Sequence, residues 1–156
     1  MTARLAVMVV LVAAVTLASV AAAGPAAAKQ RVAIETKIIP DGTFVLTPLK
    51  VGALKRDSGT MTGDYSTTPD RVVMRDGQEV SIHPAVWTLE GRRGTLTIRE
   101  RTEWVAVGYD DGVAIGTWKV VRGTGQYAKL AGSGRSGHAG LGTPWYARYE
   151  GFLTSP

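Results

Sequence analysis

Between Gly116 and Gly134 the chain reads GTWKVVRGTGQYAKLAGSG. A β-rich run meets a glycine turn, a coil long enough for one helical or 3₁₀ turn (Gln126–Leu130), and a second glycine turn. Nothing after Lys29 sustains an i, i+3, i+4 apolar pattern, so the chain has no route to a helical bundle. Short β-rich runs separated by turn signals fill the rest. They are Arg31–Ile39, Thr43–Leu49, Gly59–Tyr65, Arg71–Arg75, Gln78–His83, Val86–Glu90, Thr95–Val107, Val113–Val121, Arg135–Leu141 and Trp145–Thr154. Asp76-Gly77 and Asp110-Asp111-Gly112 mark tight hairpins, and Pro40-Asp41-Gly42 marks a turn. Gly59–Tyr65 is the weakest of these ten runs, and the expectation is an all-β domain of eight or nine strands, a barrel or a sandwich.

The N-terminus has a different character. Arg4 is the only charge before Lys29, and Leu5–Ala23 is almost wholly apolar with an alanine-rich end. A basic start, an apolar middle and small residues at the close form a secretory signal. Cleavage fits after Ala23 or after Ala28; Pro25 favours Ala28 because it ends the apolar helix just before that site. The alternative is an uncleaved anchor, since about 19 apolar residues nearly span a bilayer. Residues 1–28 are therefore assigned to the signal and 29–156 to one domain. The expected location is extracytoplasmic, by the general secretion route, with no lipid anchor because no cysteine is present.

Composition then excludes several chemistries. Without cysteine there is no disulfide, thiolate nucleophile or Cys-ligated zinc. The two histidines, His83 and His138, are too few for a His-rich metal site. The net charge of +5 is scattered among acids, as in Arg99–Glu103, unlike the basic block of a nucleic-acid binder. Gly123–Ala128 spells Gly-x-Gly-x-x-Ala, but the helix and βαβ unit that a dinucleotide needs do not follow. Neither a cofactor nor a metal is expected.

Three constellations carry chemistry. Ser136 and His138, with Ser133 nearby, lie two apart and point the same way in a strand, a weak hydrolase signal without a Gly-x-Ser-x-Gly elbow. Glu100 falls on the apolar face of its strand with Leu96, Ile98 and Trp104. Desolvation there raises a carboxyl pKa and suits a general acid or base; pairing with an arginine across a barrel, or wetting at an open end, is the alternative. Trp104, Trp118, Trp145 and Tyr149 line an apolar cavity or fill a core. Leu96, Ile98, Glu100, Trp104 and Trp118 are the candidate ligand-binding residues, with Ala114 and Gly116 leaving space beside Trp118.

The run TWKVVRGTGQYAKLAGSGRSG, followed by a closing strand that ends YEGFL, resembles the C-terminal half of allene oxide cyclase and dirigent-type barrels. The likeness covers about Thr95–Leu153. The FVLTPL, LKRDSGT and GTWKVVRGTGQYA order also looks like that of a bacterial secreted branch. The resemblance implies a closed, antiparallel, eight-stranded barrel with an apolar interior, dimeric or trimeric. No catalytic residue of those families maps onto Arg31–Leu49. Three functions follow as expectations: binding of an apolar small molecule inside the barrel, a cyclase or isomerase using Glu100, or a surface scaffold acting through Lys50–Ser58 and Ser66–Asp70.

Overall fold

The computed structural model describes residues 28–39, 42–108, 111–141 and 144–155. The expected signal segment up to Ala27, Pro40-Asp41 of the first turn and Asp110 lie outside them. The described chain is all-β. Its strands are β1 (Lys29–Ile39), β2 (Thr43–Pro48), β3 (Asp57–Tyr65), β4 (Arg71–Arg75), β5 (Gln78–Gly91), β6 (Gly94–Ala106), β7 (Asp111–Gly123), β8 (Ala131–Leu141) and β9 (Trp145–Thr154). All pairings are antiparallel, in the order β3-β2-β1-β9-β8-β7-β6-β5, and β3 pairs back onto β5 to close a ring of eight. The closed eight-stranded barrel expected from the sequence is the fold observed.

The ninth strand is a continuation. β3 ends with Tyr65 opposite Ala85, and β4 starts with Arg71 opposite Ile82, so both flank β5 in one line broken by residues 66–70. This break explains a difference from the sequence reading, which divided Gln78–Glu90 around Pro84. β5 runs through Pro84 unbroken. The Ile82 carbonyl accepts from the Asp70 amide at 2.9 Å, on the β3–β4 side. Residues two apart point their backbone groups the same way, so the donor missing at Pro84 faces the break, where no ladder bond is lost.

Alternation sorts the side chains. On β6, Leu96, Ile98, Glu100, Thr102 and Trp104 point inward while Arg99 and Arg101 are exposed. Outside, Arg148 bridges Glu150 at 2.8 Å and also pairs with Glu35, and Arg31 reaches Glu150 at 3.1 Å. This is the solvated cross-strand ladder that the alternating charges of β9 suggest. The Asp76-Gly77 hairpin has both residues at positive φ, 50° and 80°, as the tight turn requires. Gly125 (φ 56°) opens the short 3₁₀ turn Gly125–Tyr127. The Gly-x-Gly-x-x-Ala run is thus a strand-to-strand joint.

One end of the barrel is packed shut. Val32, Leu46, Leu89, Leu96, Leu153 and Tyr127 are essentially inaccessible there. Leu54 and Gln30 close it further: the Leu54 amide donates to Gln30 Oε1 at 3.0 Å, and Gln30 Nε2 donates to the Lys50 carbonyl at 2.7 Å. Asp57 clips three segments together. It accepts from Tyr127 OH (2.8 Å), the amides of Arg92 (3.2 Å) and Arg93 (3.1 Å), and that of Ser58 (2.9 Å). Burial pushes the Asp57 carboxyl up, but Tyr127 and these amides outweigh it and hold the group below 3.8.

Removing the Tyr127 hydroxyl isolates this clip. Tyr127→Phe should lower stability by roughly 1.5–3 kcal/mol, the range for a hydrogen bond to a charged group. Chemical denaturation at neutral pH measures it; an unchanged midpoint would show that the clip does not hold the closed end.

Candidate functional site

The other end of the barrel holds a cavity of about 560 Å³. It exists because large inward side chains stand against glycines. A Cβ at Gly63 would overlap the Trp87 ring, one at Gly112 the Trp104 ring, and one at Gly140 the Trp145 ring. Each tryptophan therefore lies flat against a neighbouring stave instead of filling the lumen. Tyr65 completes the aromatic wall. Its ring stacks on His83 (centroids 5.3 Å, 19°) and faces Trp87 (6.4 Å, 17°). His83 Nδ1 donates to the Ser66 carbonyl at 2.9 Å, which ties the break between β3 and β4 to the cavity wall.

Behind that wall sits Glu100, whose side chain has no exposed surface. Four donors converge on it. Trp87 Nε1 and Tyr149 OH donate to Oε2 at 2.8 and 3.1 Å. His138 Nε2 donates to Oε1 at 2.7 Å, and Ser136 Oγ donates to the same oxygen. A carboxylate only accepts, so His138 carries its proton on Nε2. The strands deliver these groups by register: Glu100 lies opposite Ala85 on β5 and Trp118 on β7, while Ser136 lies opposite Tyr149 across β8 and β9. Ala85 leaves room over the carboxylate, and Gly116, opposite both Thr102 and Ser136, leaves room for the serine hydroxyl.

The electrostatics run against the expectation from sequence. Burial does push the Glu100 carboxyl up. The His138 hydrogen bond and charge, with Ser136 and Trp87, outweigh it and hold the group below 4.5. Enclosure was legible; the donor set was not. Among the described residues no arginine pairs with Glu100; the charged partner available is His138, itself on the cavity wall with its side chain 8% exposed. Burial, and then the Glu100 charge, push the Tyr149 and Tyr65 hydroxyls up, so both stay protonated and able to donate.

The five residues singled out from sequence separate. Trp104 lines the cavity. Glu100 lies behind its wall. Leu96, Ile98 and Trp118 pack in the closed half, with Trp118 Nε1 donating to the Arg135 carbonyl at 3.1 Å. Ser136 and His138 meet at Glu100, and both donate hydrogen bonds to it, which is not the arrangement of an activated serine. Of the other aromatics, Trp145 lines the cavity and Tyr149 is fully buried. Trp87, Tyr65 and His83 were missed. The alternation His83-Ala85-Trp87-Leu89 is the signal for His83 and Trp87, hidden by treating Pro84 as a strand end; Tyr65, at the end of β3, has no such signal.

No protein-family model, curated protein or solved structure matches the chain. Among the described residues, no group of His, Asp and Glu could hold a metal ion, and no helix is long and apolar enough to cross a membrane.

Glu100→Gln puts an amide NH₂ where a carboxylate oxygen accepts two donors. Stability should fall by about 2–4 kcal/mol. The folded-state pKa is depressed, so the wild-type advantage should be complete above about pH 4.5 and shrink as pH falls through the folded-state value. Urea denaturation of both proteins from pH 7 to pH 3 measures this. A variant as stable as the wild type would mean that the four donors do not hold a charge.

Proposed function

We propose that this protein is a secreted β-barrel of the allene oxide cyclase and dirigent type, which binds an apolar small molecule in the open half of its interior. The observation that carries the reading is the cavity of about 560 Å³ walled by Trp87, Trp104, Trp145 and Tyr65. Its size and its few placed polar groups, Ser81, His83, Thr102 and His138, match the usual make-up of a small-molecule site. An open chamber favours a ligand over a plain scaffold, for which a filled barrel is expected. Family membership is supported by the closed ring and by the β6–β9 order over Thr95–Leu153. Secretion with cleavage after Ala28 is supported by the sequence: Arg4 at the start, the apolar run Leu5–Ala23, and small residues up to Ala28. Exposed Val113, Ile115 and Tyr146 on β7 and β9 support self-association through that face. The scattered basic residues, without a basic block, support the absence of a nucleic-acid partner, and cleavage of the signal supports the absence of stable membrane insertion.

Native mass spectrometry of the purified protein tests these statements together. The expected mass is that of a chain starting at Lys29, in a defined oligomer, taking up one neutral apolar probe such as N-phenyl-1-naphthylamine per barrel. Ala114 faces the cavity, and Ala114→Phe should weaken the probe about tenfold or more by occupying its space. Equal binding by a folded Ala114→Phe protein places the probe elsewhere and removes the cavity reading.

A second reading rests on the His138–Glu100 pair. An imidazole on the cavity wall, held in one tautomer by a buried carboxylate, is placed to pass a proton to or from a bound ligand, as in a cyclase or isomerase. His138 then touches the ligand and Glu100 acts as its positioning residue. On this reading His138→Gln keeps ligand binding within about twofold but stops exchange of the ligand's acidic protons with deuterated solvent. Exchange that persists in the variant, followed by NMR, retires catalysis by this pair.

A further inference from the structure

We infer that the cavity is built for a ligand bearing a cationic nitrogen on an apolar body, a hydrophobic amine or quaternary ammonium, in preference to a carboxylate or phosphate. The inference rests on the cavity being a ligand site.

Charge decides the class. Among the described residues that line the chamber there is no lysine or arginine; the carboxylate of Glu79 stands at its rim, on the inward-facing row of β5 with Ser81 and His83. Behind the wall Glu100 is held ionised by three neutral side chains, Trp87, Ser136 and Tyr149, and by His138. With both histidines neutral, the site presents two carboxylates and no cation. With His83 and His138 both protonated, the charge only balances. An anionic ligand would shed its water here with no guanidinium or ammonium to receive it.

A cation meets the opposite situation. Trp87, Trp104, Trp145 and Tyr65 surround the chamber, and aromatic faces attract ammonium groups through their quadrupole. The Trp87 ring is fixed by packing against Gly63 and by its hydrogen bond to Glu100, so it needs no ordering when a ligand arrives. The Tyr149 and Trp87 donors are already engaged by Glu100 and cannot turn to solvate an anion. Glu79 at the rim adds attraction for a cation entering from solvent.

Isothermal titration of the purified protein with three benzyl probes tests this: benzyltrimethylammonium, its uncharged carbon isostere neopentylbenzene, and the anion phenylacetate. Benzyltrimethylammonium should bind about tenfold or more tighter than phenylacetate. Glu79→Gln should reduce that ratio severalfold. Phenylacetate binding as well as the ammonium, or neopentylbenzene binding while the ammonium does not, overturns the charge preference and leaves the cavity reading standing. A ratio unmoved by Glu79→Gln overturns the part assigned to Glu79. Failure of all three probes to bind overturns the cavity reading itself.

Discussion

The buried Glu100 carboxylate is the constraint around which the barrel interior is arranged. A charge with no exposed surface survives only if its lone pairs are all occupied, and here β5, β8 and β9 each supply donors to a residue of β6. Three of the donors are tryptophan, tyrosine and serine, groups that stay neutral and have few rotatable bonds. They fix the separation of the staves across the lumen more tightly than apolar contacts do, because a hydrogen bond is lost over a few tenths of an ångström.

That network also marks the boundary between two halves of different character. Below it, Leu96, Ile98 and Trp118 pack with the leucines of the closed end, and the Asp57 clip seals the bottom. Above it, the inward positions alternate between tryptophan and glycine on adjacent staves, which spreads the rings on the wall and keeps the middle open. An eight-stranded barrel is just wide enough for either outcome, so side-chain choice at the inward positions decides whether it is filled or hollow. Here both choices are made in one molecule, and the polar layer at Glu100 separates them.

The break between β3 and β4 gives the open half its asymmetry. Seven of the eight staves are single strands, while this one is interrupted at residues 66–70, against His83 and Tyr65. The same interruption lets Pro84 sit within β5. A proline that reads as a strand end in sequence is thus tolerated beside the cavity, and it carries His83 and Trp87 on either side of it to the wall.

The sequence by itself determined the all-β class, the turn positions such as Asp76-Gly77, the inward row of β6, and the enclosure of Glu100. Each depends on local alternation or turn chemistry, which neighbouring residues specify. Only the tertiary structure decided what Glu100 meets, because Trp87, Ser136, His138 and Tyr149 lie 13 to 49 positions away and reach it through strand register. It also decided which tryptophans are core and which are wall. Trp118 and Trp104 share one alternating inward pattern with the same sequence signature, and their fates differ only by height along the barrel axis. Height follows from the stagger of the closed sheet, a property of the ring as a whole that no single strand encodes.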